Sequence, residues 1–151
     1  MTAAEQFLQH LNRQGARYVV VGGSAVAFHG CPRPTPALDL YIEPDIVNAE
    51  LVSAALRDFG QDTDAMTAEN LLANRYYFWA GTQGFAIQAF VIGVTFGELW
   101  EHRVEGKIGD EPAHFPCVDD LIAMKEATAR KKDLEDVARL REAHGRGGSW
   151  F

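Results

Sequence analysis

The stretch from Tyr18 to Glu43, YVVVGGSAVAFHGCPRPTPALDLYIE, restricts the folds open to this chain more than any other part of it. Tyr18-Val19-Val20-Val21 is an apolar, β-branched run that predicts a strand over 17–21, buried on both sides. Gly22-Gly23-Ser24 breaks the run, and Ala25, Val26, Ala27 and Phe28 predict a short helix from Ser24 to Gly30. Pro32, Pro34 and Pro36 then forbid helix, because proline fixes φ and drives its predecessor toward extended backbone. A second strand, 38–43, follows at Leu38-Asp39-Leu40-Tyr41-Ile42-Glu43. A unit of this kind brings polar groups from a turn and from a second strand to one point, and that point is Asp39.

The rest of the chain predicts helices and short strands in alternation. Phe7, Leu8 and Leu11 give an amphipathic helix over 3–14 stopped by Gly15. Asp45 caps a helix running to about Phe59, with Ile46, Leu51, Ala55 and Leu56 inward, and a short helix can follow Thr67. Tyr76–Trp79 and Phe85–Ile92 form a hairpin around Gly81-Thr82-Gln83-Gly84, and Thr95 starts a helix with Phe96, Leu99 and Trp100. Val104–Ile108 and Ala113–Phe115 are short strands. Val118–His144 is helical with a break near Ala129-Arg130, and the tail from Gly145 to Phe151 reads as mobile. The expected fold is one α/β (α+β) domain over 1–151, a mixed sheet flanked by helices.

At 151 residues the chain suffices for one domain with a real core. A net charge of −7 argues against a general affinity for nucleic acid and leaves room for a local basic cleft. Cys31 and Cys117 lack CxxC spacing and read as free thiols. The polar N-terminal stretch is no signal peptide, and no apolar run spans a membrane, so a cytoplasmic protein is expected.

Few residues carry chemistry. A Gly-Gly-Ser turn between strand and helix offers N–H groups and a hydroxyl to a phosphate, although tight turns also need glycine for φ alone. Asp39 lies in an apolar strand, where a carboxylate must be paired, hydrogen-bonded or metal-bound. Its same-face neighbour two residues earlier is Ala37, where a second carboxylate would complete a two-metal clamp. Arg33 and Thr35 meet a phosphate or tie the loop down. Lys125, Arg130, Lys131 and Lys132 crowd into eight residues, either as a solvated face with Lys131 and Lys132 pairing to Glu135 and Asp136, or as a basic surface. Trp79 and Trp100 read as core. No HExxH or HxxxH pattern indicates zinc.

Together, Gly22-Gly23-Ser24, His29-Gly30, Arg33, Thr35 and Asp39-Leu40 resemble the nucleotidyltransferase signature of a GG/GS turn, an hG-x-x-R-x-T segment and a D-x-D strand. Asp119 to Lys125, continuing through Arg130, Lys132, Asp133 and Asp136, resembles a second block of the same family. These are the minimal, abortive-infection toxin-type nucleotidyltransferases of the DNA polymerase beta superfamily. The resemblance spans residues 17 to 140. It implies a nucleotidyltransferase fold and a turn (Gly22, Gly23, Ser24) that holds a nucleoside triphosphate, with Arg33, Thr35 and Lys125 close to the nucleotide. It further implies Asp39 as catalytic residue and magnesium ligand. The activity implied is transfer of a nucleotide monophosphate to a hydroxyl of an RNA or protein acceptor, in a toxin–antitoxin setting with a partner protein or a second copy.

The sequence departs from that pattern at the acids. Ala37 replaces the first strand aspartate and Gln88 falls where the third carboxylate belongs, with no acidic residue between Gly84 and Gly97. One carboxylate cannot clamp two ions. The loss should cost on the order of 10³-fold in rate. Three readings stand: a nucleotidyltransferase homologue that binds nucleotide with transfer weakened or lost, a non-catalytic regulatory or antitoxin-like interaction protein, and an enzyme disabled by a substitution at position 37.

Overall fold

The computed structural model describes residues 1–32, 34, 37–61 and 64–145. Its elements run α1 (Ala3–Gln14), β1 (Tyr18–Val21), α2 (Gly22–Phe28), β2 (Ala37–Ile42), α3 (Ile46–Asp58), α4 (Ala68–Ala73), β3 (Tyr76–Ala80), β4 (Gln83–Gln88), α5 (Phe96–Glu101), β5 (Val104–Ile108), β6 (Glu111–Phe115), α6 (Val118–Thr128) and α7 (Lys131–Ala143). The fold is α+β. A four-stranded mixed sheet has the order β1-β2-β4-β3, and β5 and β6 form a separate two-stranded sheet. The pair β1–β2 is antiparallel, β2–β4 parallel and β4–β3 antiparallel. No described helix is long and apolar enough to cross a membrane.

Local chemistry explains most of the boundaries. Thr2, Asp45, Thr67 and Thr95 cap α1, α3, α4 and α5 through side-chain oxygens, and Gly15 ends α1 in the left-handed region. The α6–α7 break falls at Ala129, whose φ of 51° makes it the one left-handed residue other than glycine among those described. Such a conformation costs about 1–2 kcal/mol in a residue with a Cβ.

Pairing register sorts the side chains onto two faces. One face carries Leu38, Leu40, Phe78, Phe85 and Ile87, covered by α1 and α3. Phe7 of α1 and Phe59, the C-cap of α3, meet Phe85 there at centroid distances of 5.4 and 5.8 Å. The other face carries Ala37, Asp39 and Tyr41 of β2 beside Gly84, Ala86 and Gln88 of β4, then Trp79 and Tyr77 of β3. Toward β1 it is covered, with Tyr41 edge-on to Phe96 of α5. Toward the edge strand β3 it is open.

Several expectations need correction. The second helix starts at Gly22, two residues early, because the strand pairing ends at Val21 opposite Asp39. The fourth strand stops at Gln88 instead of Ile92, leaving Phe90 and Ile92 exposed in the loop that leads to α5. Ile46, expected inward, is 42% exposed in the first turn of α3. Trp79, expected in the core, is 64% exposed because β3 is an edge strand with its outer face uncovered. Of the tail, residues 146–151 lie outside the described set.

Candidate functional site

Antiparallel pairing sets Val21 opposite Asp39, so the next residue, Gly22, passes directly over the Asp39 carboxylate. Gly22 has φ of +66°, and a Cβ built on it would overlap Asp39 Oδ2. Only glycine combines that backbone with that approach. Asp39 forms the floor of a cleft of about 340 Å³ whose walls include Gly22, Arg75, Gln88, Lys125 and Arg130. At a second glycine, Gly93, the loop after β4 lies so close to α6 that a Cβ would press on Ala127 and the Ala123 carbonyl. That contact seats α6 at the rim.

Cations gather around the Asp39 carboxyl. Burial pushes the Asp39 carboxyl above its ordinary value, while Arg75, Lys125, Lys132 and Arg130, in that order, pull it back down. Two of these cations are held by buried carboxylates of α7. Lys125 is only 8% exposed, with Nζ 3.0 Å from Asp136 Oδ2 and 3.7 Å from Asp133 Oδ1. Arg130 donates to Asp133 through Nε at 2.7 Å and Nη2 at 3.1 Å, and the Thr128 hydroxyl adds a bond of 2.7 Å. These donors, Arg130 foremost, hold the Asp133 carboxyl far below the usual carboxylate range. Arg75 stands on the opposite side, exposed, with its guanidinium 5.1 Å from the Tyr77 ring. Positive charge fixed in this way meets an anion without first losing side-chain freedom.

Gly22, Asp39 and Lys125 are therefore brought together, and Gly23 follows Gly22 without lining the cleft. Ser24 is not part of it. It lines a separate cleft with Phe28, Leu38 and Lys107 on the other face of the sheet. Each helical residue turns the direction by about 100°, so a helix that starts at Gly22 points Ser24 roughly 200° away. Arg33 and Thr35 lie outside the described residues. The expected pairing of Lys132 with Asp136 is replaced by Lys125–Asp136, since Asp136 faces α6 and is buried.

Sequence reasoning left Arg75, Thr128 and Arg130 without a role in the cleft, and Asp133 without one as its anchor. Arg75 carries no local signal, because the strand order β2-β4-β3 alone brings it within reach of Asp39. For the other three the signal was their spacing across the α6–α7 turn.

The donor set does not suit a pair of magnesium ions. Beside Asp39 on its face, β2 offers Ala37, and β4 offers Ala86 directly across and Gln88 one pleat along. None is acidic. Asp133, the other acid of the cleft, is committed to Arg130, Thr128 and Lys125. No protein-family model and no curated protein matches the chain.

Proposed function

We propose that the cleft at Asp39 binds a nucleoside triphosphate on a nucleotidyltransferase-like scaffold, with transfer to a hydroxyl acceptor (RNA or protein) weakened or lost. The observation that carries this reading is the convergence of charge from Arg75, Lys125, Arg130 and Lys132 on one half-buried carboxylate in a chain of net charge −7. A cation cluster of that density, in a cavity with an apolar rim of Phe90 and Ile92, suits a ligand with a polyphosphate and a flat ring. Gly22 lets such a ligand approach the backbone at the end of β1. In support stands the order strand, glycine corner, helix, strand, with the acid of the second strand beneath the corner.

Each residue then has a limited role. Lys125 and Arg130 hold phosphate oxygens, Arg75 closes the open side, and Asp39 is the one protein carboxylate available to a magnesium ion that arrives with the triphosphate. Magnesium in the resembling family activates the hydroxyl and steadies the leaving phosphate. Here a single carboxylate holds such an ion weakly.

Titration calorimetry with a nucleoside triphosphate and magnesium tests the reading. Heat of binding is expected, and Arg75→Ala should weaken the affinity about tenfold, the worth of one charge-assisted contact. Silence from the folded wild-type chain would remove the proposal. That silence is what the second reading expects, a non-catalytic regulatory or antitoxin-like protein whose partner covers the open face. Its support is the exposure of Tyr77, Trp79 and Phe90 at 63, 64 and 63% beside the cleft.

A further inference from the structure

Away from the Asp39 floor, three side chains of different chemistry converge where α5 ends and α6 begins. His102 is the C-cap of α5, Cys117 the N-cap of α6 and Asp120 its third residue. One ligand atom from each, imidazole nitrogen, thiol sulfur and carboxylate oxygen, lies within 4.8 Å of the other two. His102 Nδ1 is 3.0 Å from Asp120 Oδ2, and the Asp120 amide donates to Cys117 Sγ at 3.4 Å. We propose that His102, Cys117 and Asp120 form a three-ligand site for a zinc-class divalent cation.

The geometry suits such an ion. Bonds of about 2.0–2.3 Å in a tetrahedron put ligand atoms roughly 3.4–3.7 Å apart. His102 Nδ1 and Asp120 Oδ2, now 3.0 Å apart, would open slightly to admit the ion, and no pair in the triad starts beyond 4.8 Å. The cation takes the place of the proton between His102 and Asp120. With the His102 side chain 51% exposed, a fourth position faces solvent. Donor chemistry selects the metal. Thiolate and imidazole favour zinc or cobalt and disfavour magnesium, so this site is distinct from any magnesium requirement of nucleotidyl transfer.

The competing explanation is that Cys117 merely caps a helix while His102 and Asp120 form a surface pair. The chain itself weakens it. Wherever else a side chain caps a described helix by accepting from the first turn, at Thr2, Asp45, Thr67 and Thr95, it uses oxygen. Sulfur accepts poorly from an amide, and serine or threonine would cap α6 better. A thiol is gained at this position at the expense of the cap, and what it adds is a soft ligand. Bound metal would fasten the end of α5 to the start of α6, the helix that carries Lys125.

The full-length reduced chain titrated with Co(II), then with Zn(II) in competition, decides the matter. One equivalent should bind with a thiolate-to-cobalt charge-transfer band. Cys117→Ser keeps or improves the helix cap, so it should fold normally, lose the band and bind zinc at least ~10–100-fold more weakly. His102→Ala should weaken zinc to a similar degree, and Cys31→Ala should change nothing. Absence of the band in wild type, its loss in Cys31→Ala, or equal zinc affinity of wild type and Cys117→Ser would each overturn the proposal.

Discussion

The cleft has two walls built on different terms. Its helical wall, α6 and α7, is an ionic network in which Lys125, Arg130, Thr128, Asp133 and Asp136 pair with one another, with little exposure of Lys125, Asp133 and Asp136 at its centre. Its sheet wall, β2 and β4, presents Ala37, Asp39, Ala86 and Gln88, a single carboxylate among neutral side chains. Removing a member of the first wall strands a charge in the interior, which is strongly destabilising. A carboxylate on the second wall has no such structural duty, and alanine or glutamine sits there without penalty to the fold. The wall that would receive phosphate is thus also the wall the fold needs, and the wall that would hold metal is not.

The largest expected effect lies on the helical wall. Asp133→Ala leaves Lys125 buried beside Asp136 alone and deprives Arg130 of its fork, and should lower unfolding free energy by about 3–5 kcal/mol in urea titration. A loss within a few tenths of a kcal/mol would show that the network is ornamental and erase the contrast. The glycine corner comes next. Gly22→Ala forces a methyl group into the Asp39 carboxylate from a left-handed backbone and should cost about 1–3 kcal/mol. Pairing it with Asp39→Gly should recover part of that loss, because the clash then has no partner.

Acid titration separates the two walls with a smaller but opposite pair of signs. Asp133 in the folded chain lies below its ordinary value of 3.8, so the unfolded chain holds more protons between the two values and stability rises with pH across that window. Its contribution is present above 3.8 and lost as pH falls through the folded value. Asp39 lies above 3.8, so there the folded chain holds more protons and stability falls as pH climbs from 3.8 toward the folded value. Urea midpoints measured stepwise in pH, wild type against Asp133→Asn and against Asp39→Asn, should show difference curves of opposite slope. Parallel curves would mean that the cations around Asp39 outweigh its desolvation, as the donors around Asp133 do.

Much of this was legible in the residues, and the failures have physical causes. The cap oxygens and the apolar spacing of Phe7, Leu8 and Leu11 are local signals, and α1, α3, α4 and α5 start where those signals place them. Asp39 stood out because a carboxylate in an apolar strand needs a reason. Ser24 misled because the direction of its hydroxyl depends on which residue opens α2, a matter of strand register and not of turn composition. Trp79 misled because burial of a strand residue depends on whether its strand is an edge, which only the sheet order decides. Arg75 is distant from Asp39 along the chain and was invisible for the same reason.

Restoring the acids probes the contrast between the walls most directly. Magnesium-dependent release of pyrophosphate from a nucleoside triphosphate, with cell extract as source of acceptor, should be negligible for wild type and for Ala37→Asp or Gln88→Asp alone. In the double variant Ala37→Asp/Gln88→Asp it should rise on the order of 10³-fold, since on the proposed reading only carboxylates are being added to a cleft that holds phosphate. Wild type turning over as fast as the double variant, or a double variant that binds the triphosphate and stays inert, would contradict it.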